Sequence, residues 1–347
     1  MRKVNMGVLG AGGIAYRRTI PGMMQAKNIQ LSAVMDIANI EKIAGEFKIA
    51  RYYTREKDLL EDPEVEAVYI ATPVNLHLEH IRAAAEKGKH ILCEKPITGN
   101  PAEAAEAARI CRHNGIIFQE GYMMKFHGAH RKIKNLVESG KIGRIVYMRA
   151  QLSCWYPPIA GAWRQDPGKG GGGALIDMAT HLYDLLEYIC GSGISKVAAL
   201  TGRQVQDYKS EDSSTTLLEF SSGTQATVDA FFCIPDEASK TRLEIYGSMG
   251  SLLAEGTIGQ GSGGKLEGIF KKDAAGYDAI QSKDEALSFS DIGFDQVNPY
   301  TAECEYFANS VLEKKEPGIN GLDNSLHIME VTEKAYSSYK TGRILTV

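Results

Sequence analysis

Residues Val4 to Leu9 form an apolar, β-branched run that passes directly into Gly10-Ala11-Gly12-Gly13-Ile14-Ala15. A buried strand that meets GxGxxA and then a helical stretch opens a βαβ unit, which leaves few folds available. In such a turn the first glycine allows the tight backbone, the second lets a pyrophosphate come close, and a small residue packs helix against strand. The free N–H groups of the helix start then face the phosphates. Alone, the triplet is also compatible with a plain strand-to-helix turn. Its place at the head of the first βαβ unit favours a dinucleotide site at Gly10, Gly12, Gly13 and Ile14. Asp36 ends the second predicted strand, 26 residues beyond Gly10, near the distance at which an acid holds the adenosine ribose hydroxyls. It also suits the N-cap of a helix starting near Ala38, and the two roles can coexist. A carboxylate there repels a 2'-phosphate, and Ile37 and Ala38 supply no arginine, so NAD is expected rather than NADP.

Short β-branched runs alternate with helical stretches as far as residue 122, the pattern of a parallel sheet covered by helices. Strands are predicted over Val4 to Leu9, Gln30 to Met35, Ala67 to Ala71, His90 to Cys93 and Ile116 to Gln119, with helices over Asn75 to Glu86 and Pro101 to His113. Beyond 122 a helix from Ala129 to Ser139 leads into a strand over Arg144 to Ser153 and a long aromatic and Pro/Gly-rich loop reaching Gly173. Strands follow at Val197 to Gly202, Ser214 to Phe220, Gln225 to Phe232 and Thr241 to Tyr246, spaced by turns as in an antiparallel sheet. Gly256 to Gly264 reads as a surface hairpin or loop, and two helices after Tyr300 are separated by Pro317 to Gly321. A chain of 347 residues exceeds one ordinary core. It is therefore expected to be α/β: a Rossmann dinucleotide-binding domain, 1–122, sharing a cleft with an α+β domain, 123–347, built on a large open, mostly antiparallel sheet.

Thirty-nine basic and 43 acidic side chains give a net charge of −4 with no Lys/Arg block, which disfavours a nucleic-acid partner. No apolar run is long enough to span a bilayer and no signal peptide is visible, so a soluble, cytoplasmic protein without a membrane partner is expected. The six cysteines are scattered, without CxxC or zinc spacing, so no metal is expected.

Two loops at carboxyl ends of predicted strands carry polar groups where open α/β sheets bind ligands. One holds Thr72, Pro73, Asn75 and His77, the other Glu94 and Lys95. Pro96 forces Lys95 out of helical geometry and raises the odds of a cis bond, so the backbone can aim the ammonium. With GxGxxA, ATP...H at 71–77, GKHILCEKP at 88–96, SGKIGRI at 139–145, AWR at 162–164, GGGALIDMATH at 171–181 and NPY at 298–300, the chain resembles the glucose-fructose oxidoreductase, inositol dehydrogenase and rhizopine-catabolism protein family over nearly its whole length. The resemblance implies a catalytic group of Lys95, Asp177 and His181. It also implies cofactor contacts from the two loops and Arg164, and a histidine of the inositol dehydrogenase type at 181. Relatives commonly pair through the second sheet, which implies a homodimer or homotetramer.

The residues bear on this independently. In one α-helix Asp177, His181 and Asp184 fall at i, i+4 and i+7, opposite an apolar stripe of Leu175, Met178, Leu182, Leu185 and Ile189. Gly170 to Gly173 would let backbone approach a ligand. Oxidising a secondary alcohol needs a base for the hydroxyl proton and a cation for the developing alkoxide while hydride leaves to the nicotinamide. Histidine suits the first task and lysine the second, with Asp177 orienting a hydroxyl or the imidazole. Trp155 is either a face for sugar C–H groups or a packing anchor of its loop, and Trp163-Arg164 is placed by the resemblance near the nicotinamide. The segment Met124 to His130 departs from the family pattern. His127 stands where relatives place a substrate-facing residue, or else is a surface group at a helix start. The expected activity is NAD-dependent oxidation, reversible, of a secondary hydroxyl on a cyclic polyol or sugar. The alternatives are a glycoside-cleaving enzyme that recycles its NAD internally and a non-catalytic NAD-responsive regulator, the latter disfavoured because binding alone does not need the Lys/Asp/His trio.

Overall fold

The computed structural model describes residues 2–271 and 288–347. They form two compact units: Met1–Met123 with Ile159–Asp177 and Asn298–Glu333, and Met124–Pro158 with Met178–Val297 and Lys334–Val347.

The first unit holds six parallel strands, β1 (Val4–Leu9), β2 (Ile29–Met35), β3 (Arg51–Tyr53), β4 (Ala67–Ile70), β5 (His90–Cys93) and β6 (Phe118–Glu120), in the order β3-β2-β1-β4-β5-β6. The chain direction of growth reverses at β1, whose neighbours are β2 and β4, so the loops after β1 and β4 open side by side at the switch point. Helix Pro101–His113 starts where Pro101 tolerates the lost N–H and the Asn100 side chain accepts from the Glu103 N–H at 3.0 Å. A helix expected from Ala38 instead begins at Ile40, behind Asn39 in a left-handed conformation. Helix Pro299–Glu313, expected in the second domain, belongs to this unit. Its Cys304, Phe307, Ala308 and Val311 lie in one apolar core with Val4, Met6, Val8, Ile20 and Met23. The Asn28 side chain donates to the Glu305 carbonyl at 2.8 Å. Burying one side chain such as Phe307 contributes roughly 1.5–3 kcal/mol, and that packing determines which sheet the helix joins. By compactness, 159–177 and 298–333 of the expected second domain belong to the first unit.

The second unit is built on β7 (Ile145–Ser153), β8 (Ile194–Gly202), β9 (Ser213–Phe220), β10 (Gln225–Phe231), β11 (Arg242–Gly247), β12 (Gly250–Glu255), β13 (Lys265–Phe270), β14 (Ser290–Asp291) and β15 (Leu345–Thr346). Their order is β14-β13-β12-β11-β7-β10-β9-β8-β15, antiparallel except for β7 with β10. Alternate residues Met148, Ala150, Leu218, Val228 and Ala230 are buried, and on that side the Tyr183 hydroxyl of helix Thr180–Cys190 donates to Thr216 Oγ1 at 3.2 Å. The opposite face carries Leu200, 74% exposed, and Leu217, 59% exposed. Among the described residues no helix is long and apolar enough to cross a membrane.

Candidate active site

Gly10 follows β1 with φ +84, and its N–H donates to the Met35 carbonyl at 2.9 Å. A Cβ there would also stand 3.0 Å from the Ala71 backbone, so both conformation and space require glycine. Asp36, at the end of β2, accepts from the Gly12 N–H at 2.9 Å through Oδ2 and from the Ala38 N–H at 3.1 Å through Oδ1. It is thus not the helix cap. Two backbone donors fix its carboxylate beside the glycine turn, and each oxygen keeps a lone pair for a hydroxyl. A left-handed glycine turn with a held carboxylate at the switch point is a donor and acceptor set that fits a dinucleotide.

The loop after β4 is tied from behind. His77 is buried, one ring nitrogen 2.9 Å from the Thr72 carbonyl and the other 3.0 Å from the Pro96 carbonyl. Burial lowers its pKa to about 4, against the pull of those carbonyls. Expected as a cofactor contact, His77 is buried between the two loops, where the single N–H of its neutral ring donates to one of the two carbonyls. Thr72, Pro73 and Asn75 remain at least partly accessible.

After β5, Glu94 is half-buried. It accepts from the Tyr69 hydroxyl, which lies 2.9 Å from Thr19 Oγ1, and burial raises its carboxyl above the ordinary range. The Lys95–Pro96 bond is cis. Lys95 Nζ donates to Asp177 Oδ1 at 2.9 Å and to the Asp177 carbonyl at 2.5 Å. Arg164 Nε donates to the same Oδ1 at 3.0 Å, and its guanidinium lies 4.1 Å from the centre of the Trp163 ring. Burial alone would raise the Asp177 carboxyl, but the charges of Arg164 and Lys95 outweigh it and hold it well below the usual range. Asp177 therefore stays ionised and fixes two cations, whereas the sequence suggested that it orients a hydroxyl or an imidazole. Two of the three ammonium donors of Lys95 are committed, which leaves one to present.

Within Gly170 to Gly173, Gly170 and Gly171 come close to the protein's own backbone. Gly171, at φ +77, would place a Cβ 2.7 Å from the Gly99 carbonyl. The close approach is to the protein's own loop, and it sets the start of the segment bearing Asp177.

That segment begins as a π-helical turn, Leu175–Ala179, before helix Thr180–Cys190. π turns inside helices recur at functional sites. Asp177 sits in the wide turn and His181, half-buried, in the regular helix of the second unit. Asp184 does not extend the polar stripe: it is buried and pairs with Lys125 Nζ at 2.6 Å. Leu175, Met178, Leu182, Leu185 and Ile189 are all buried.

His127 is neither a substrate-facing group nor a surface residue. It is the buried N-cap of helix Gly128–Glu138, accepting from the Ala129 N–H through Nδ1 at 3.1 Å and donating from Nε2 to the Gly263 carbonyl at 3.1 Å. Burial lowers its pKa. His130 Nε2 lies 3.1 Å from Thr257 Oγ1. The glycine-rich stretch expected to be a plain surface loop is thus anchored at Gly263 and Thr257 by two histidines. Trp155 is 40% exposed and bridges Cys233 in an isolated β contact, so its backbone is fixed while part of the indole is free. Among the described residues no group of three or more His, Cys, Asp or Glu side chains could hold a metal ion.

Residues 4–122 match the oxidoreductase family with an NAD-binding Rossmann fold, and residues 130–253 match the GFO/IDH/MocA C-terminal domain. The chain belongs to the GFO/IDH/MocA oxidoreductase family. It is an oxidoreductase with an NAD-binding domain, in a family of NAD(P)-dependent sugar and polyol dehydrogenases. Within the family, the chain is 28% identical to scyllo-inositol 2-dehydrogenase (NAD(+)) of Bacillus subtilis over 98% of this chain and 95% of that protein. It is likewise 28% identical to D-xylose 1-dehydrogenase (NADP(+)) 2 of Haloferax volcanii over 97% of both. Among solved structures, levoglucosan dehydrogenase in complex with NADH and levoglucosan superposes with a TM-score of 0.87 at 21% identity, covering all of both chains. Relatives with either cofactor exist in the family, so the fold alone leaves the choice between NAD and NADP to the residues around Asp36.

Proposed function

We propose that this protein is an NAD-dependent dehydrogenase that reversibly oxidises a secondary hydroxyl of a cyclic polyol or sugar. The observation that carries the reading is the Lys95–Asp177–Arg164 cluster, in which the lysine of EKP and the aspartate of GGGxxxD meet at 2.9 Å. Gly10, Gly12, Gly13, Ile14 and Asp36 would hold the nucleotide, with Thr72, Pro73, Asn75, Glu94, Lys95 and Arg164 as further contacts, and its nicotinamide would supply the hydride acceptor for the carbinol carbon. Lys95, Asp177, His181, Trp155, Trp163 and Arg164 are assigned to the substrate. Lys95, held by Asp177, directs its remaining donor at the substrate oxygen and stabilises negative charge there. His181 takes the hydroxyl proton. Screening inositols, free hexoses, glycosides and nucleotide sugars for stoichiometric NADH formation tests the assignment. Cleavage of a glycoside without net NADH would replace it by redox-neutral chemistry.

Cofactor preference follows from Asp36. Ile37 beside it is 87% exposed and Ala38 has no charge to offer, so a 2'-phosphate would meet a carboxylate alone. Asp36→Ser should weaken NAD binding and narrow its advantage over NADP; titration of both cofactors by fluorescence checks this. Tighter NADP than NAD binding by the unaltered protein contradicts it.

The open face of the second sheet supports self-association into a homodimer or homotetramer, since Leu200 and Leu217 stand exposed on it. Light scattering should return a multiple of 37.9 kDa; a monomer at micromolar concentration rejects the proposal.

A further inference from the structure

Thr72 is held by two histidines of one helix, His77–Glu86, and they grip different atoms. His77 Nε2 lies 2.9 Å from its carbonyl, as above. His80 Nδ1 lies 2.9 Å from the Thr72 hydroxyl oxygen, and His80 Nε2 lies 2.5 Å from Glu56 Oε2. His80 is buried and the Glu56 side chain is one-third exposed. The carboxylate can only accept, so it takes the Nε2 hydrogen. In the neutral ring Nδ1 is then the acceptor and the Thr72 hydroxyl must donate to it. With the ring neutral, the hydroxyl proton is turned inward and the oxygen offers lone pairs only. Thr72 also borders the nucleotide turn, its methyl group standing 3.0 Å from where a Gly10 Cβ would be.

The geometry points to His80 and Glu56 as positioning residues for the cofactor: they fix the polarity of Thr72 so that its oxygen accepts from a hydroxyl or amide donor of the bound dinucleotide. This rests on the assignment of Thr72 as a cofactor contact. Without the pair, Thr72 can rotate and present its proton, and a donor facing a donor loses the bond.

NADH binding to the intact apoprotein by calorimetry tests this, with thermal melting of each apo variant to verify folding. Thr72→Val and His80→Phe should each raise Kd by roughly 2- to 12-fold, the range one hydrogen bond supplies. The double variant should bind no more weakly than Thr72→Val alone, because the second change removes a partner already lost. His80→Asn, which returns an acceptor oxygen near the position of Nδ1, should restore Kd to within about twofold of the unaltered protein. Losses that multiply in the double variant, or unchanged affinity in His80→Phe, overturn the inference. Unchanged affinity in Thr72→Val removes Thr72 from the cofactor site and overturns the inference through the reading beneath it. If His80→Phe does not fold, Glu56→Leu on its partly exposed helix serves in its place: weaker NADH binding supports the pair, and unchanged binding overturns it.

Discussion

Lys95→Met should lower kcat for alcohol oxidation by about 100- to 1,000-fold, the usual cost of removing one donor aimed at a developing oxyanion. The side chain is in place for that role before any substrate arrives. Its side chain is only 8% exposed and its ammonium is fixed by Asp177 at 2.9 Å, so little reorganisation is needed when charge develops. Methionine fills a similar volume without a donor, which separates lost electrostatics from a lost side chain. Lys95→Arg should not restore the rate. A planar guanidinium cannot direct three tetrahedral donors from the same stem, and Arg164 already donates to the same Asp177 oxygen. Asp177→Asn should act in the same direction, since it leaves both cations without the charge that orients them. Steady-state rates at saturating NAD check all three. A Lys95→Met enzyme within tenfold of the original kcat would remove Lys95 from the chemistry.

The parts legible in the sequence are those fixed by local chemistry. Strand Val4–Leu9 and helix Pro101–His113 have the predicted ends, because a glycine turn and an Asn-Pro cap act on their immediate neighbours. β3 escaped notice: Arg51-Tyr52-Tyr53 is three residues long with a charge in it, and only pairing with β2 makes it a strand. β12 to β15 were equally silent, being short, rich in glycine or charge, and stabilised by register with distant partners. The π turns Ala15–Thr19 and Leu175–Ala179 leave no compositional mark, and the second interrupts the regular helical spacing between Asp177 and His181 that the sequence suggests. His127 shows a third limit. A histidine before Gly128 can cap a helix as well as face a ligand, and the chain that packs here, with Phe294 against His127 and the Asp295 backbone against Gly128, is distant in sequence. The motifs carry Lys95 and Asp177 into one implied group, but their ion pair has no mark in the sequence. That Arg164 joins it, and that Glu56 and His80 stand behind Thr72, depends on contacts between separate elements with no sequence spacing of their own.

His181→Ala should lower kcat by about 100- to 10,000-fold, the worth of a positioned acid-base group, while NAD affinity stays nearly unchanged. The pH dependence separates proton transfer from a mere loss of fit. A base must be unprotonated to accept the hydroxyl proton, so the oxidation rate should rise with pH between about 5 and 8, the span in which imidazoles change charge. The reduction rate should fall over the same span, because the return reaction needs the proton. Deleting the imidazole should remove both limbs, and a small exogenous base such as imidazole should restore part of the rate to His181→Ala. The control is His127→Asn, which keeps a side-chain acceptor for the Ala129 N–H at the cap. It should cost stability of about 1 kcal/mol at most and leave the limbs in place, since His127 spends both nitrogens inside the second unit. Other histidines are poor substitutes: His77 is buried between two backbone carbonyls, and burial lowers the pKa of His130 to about 3. If His181→Ala retains the original kcat and both limbs on the true substrate, proton transfer belongs elsewhere, and a tyrosine of the aromatic loop after β7 becomes the group to test.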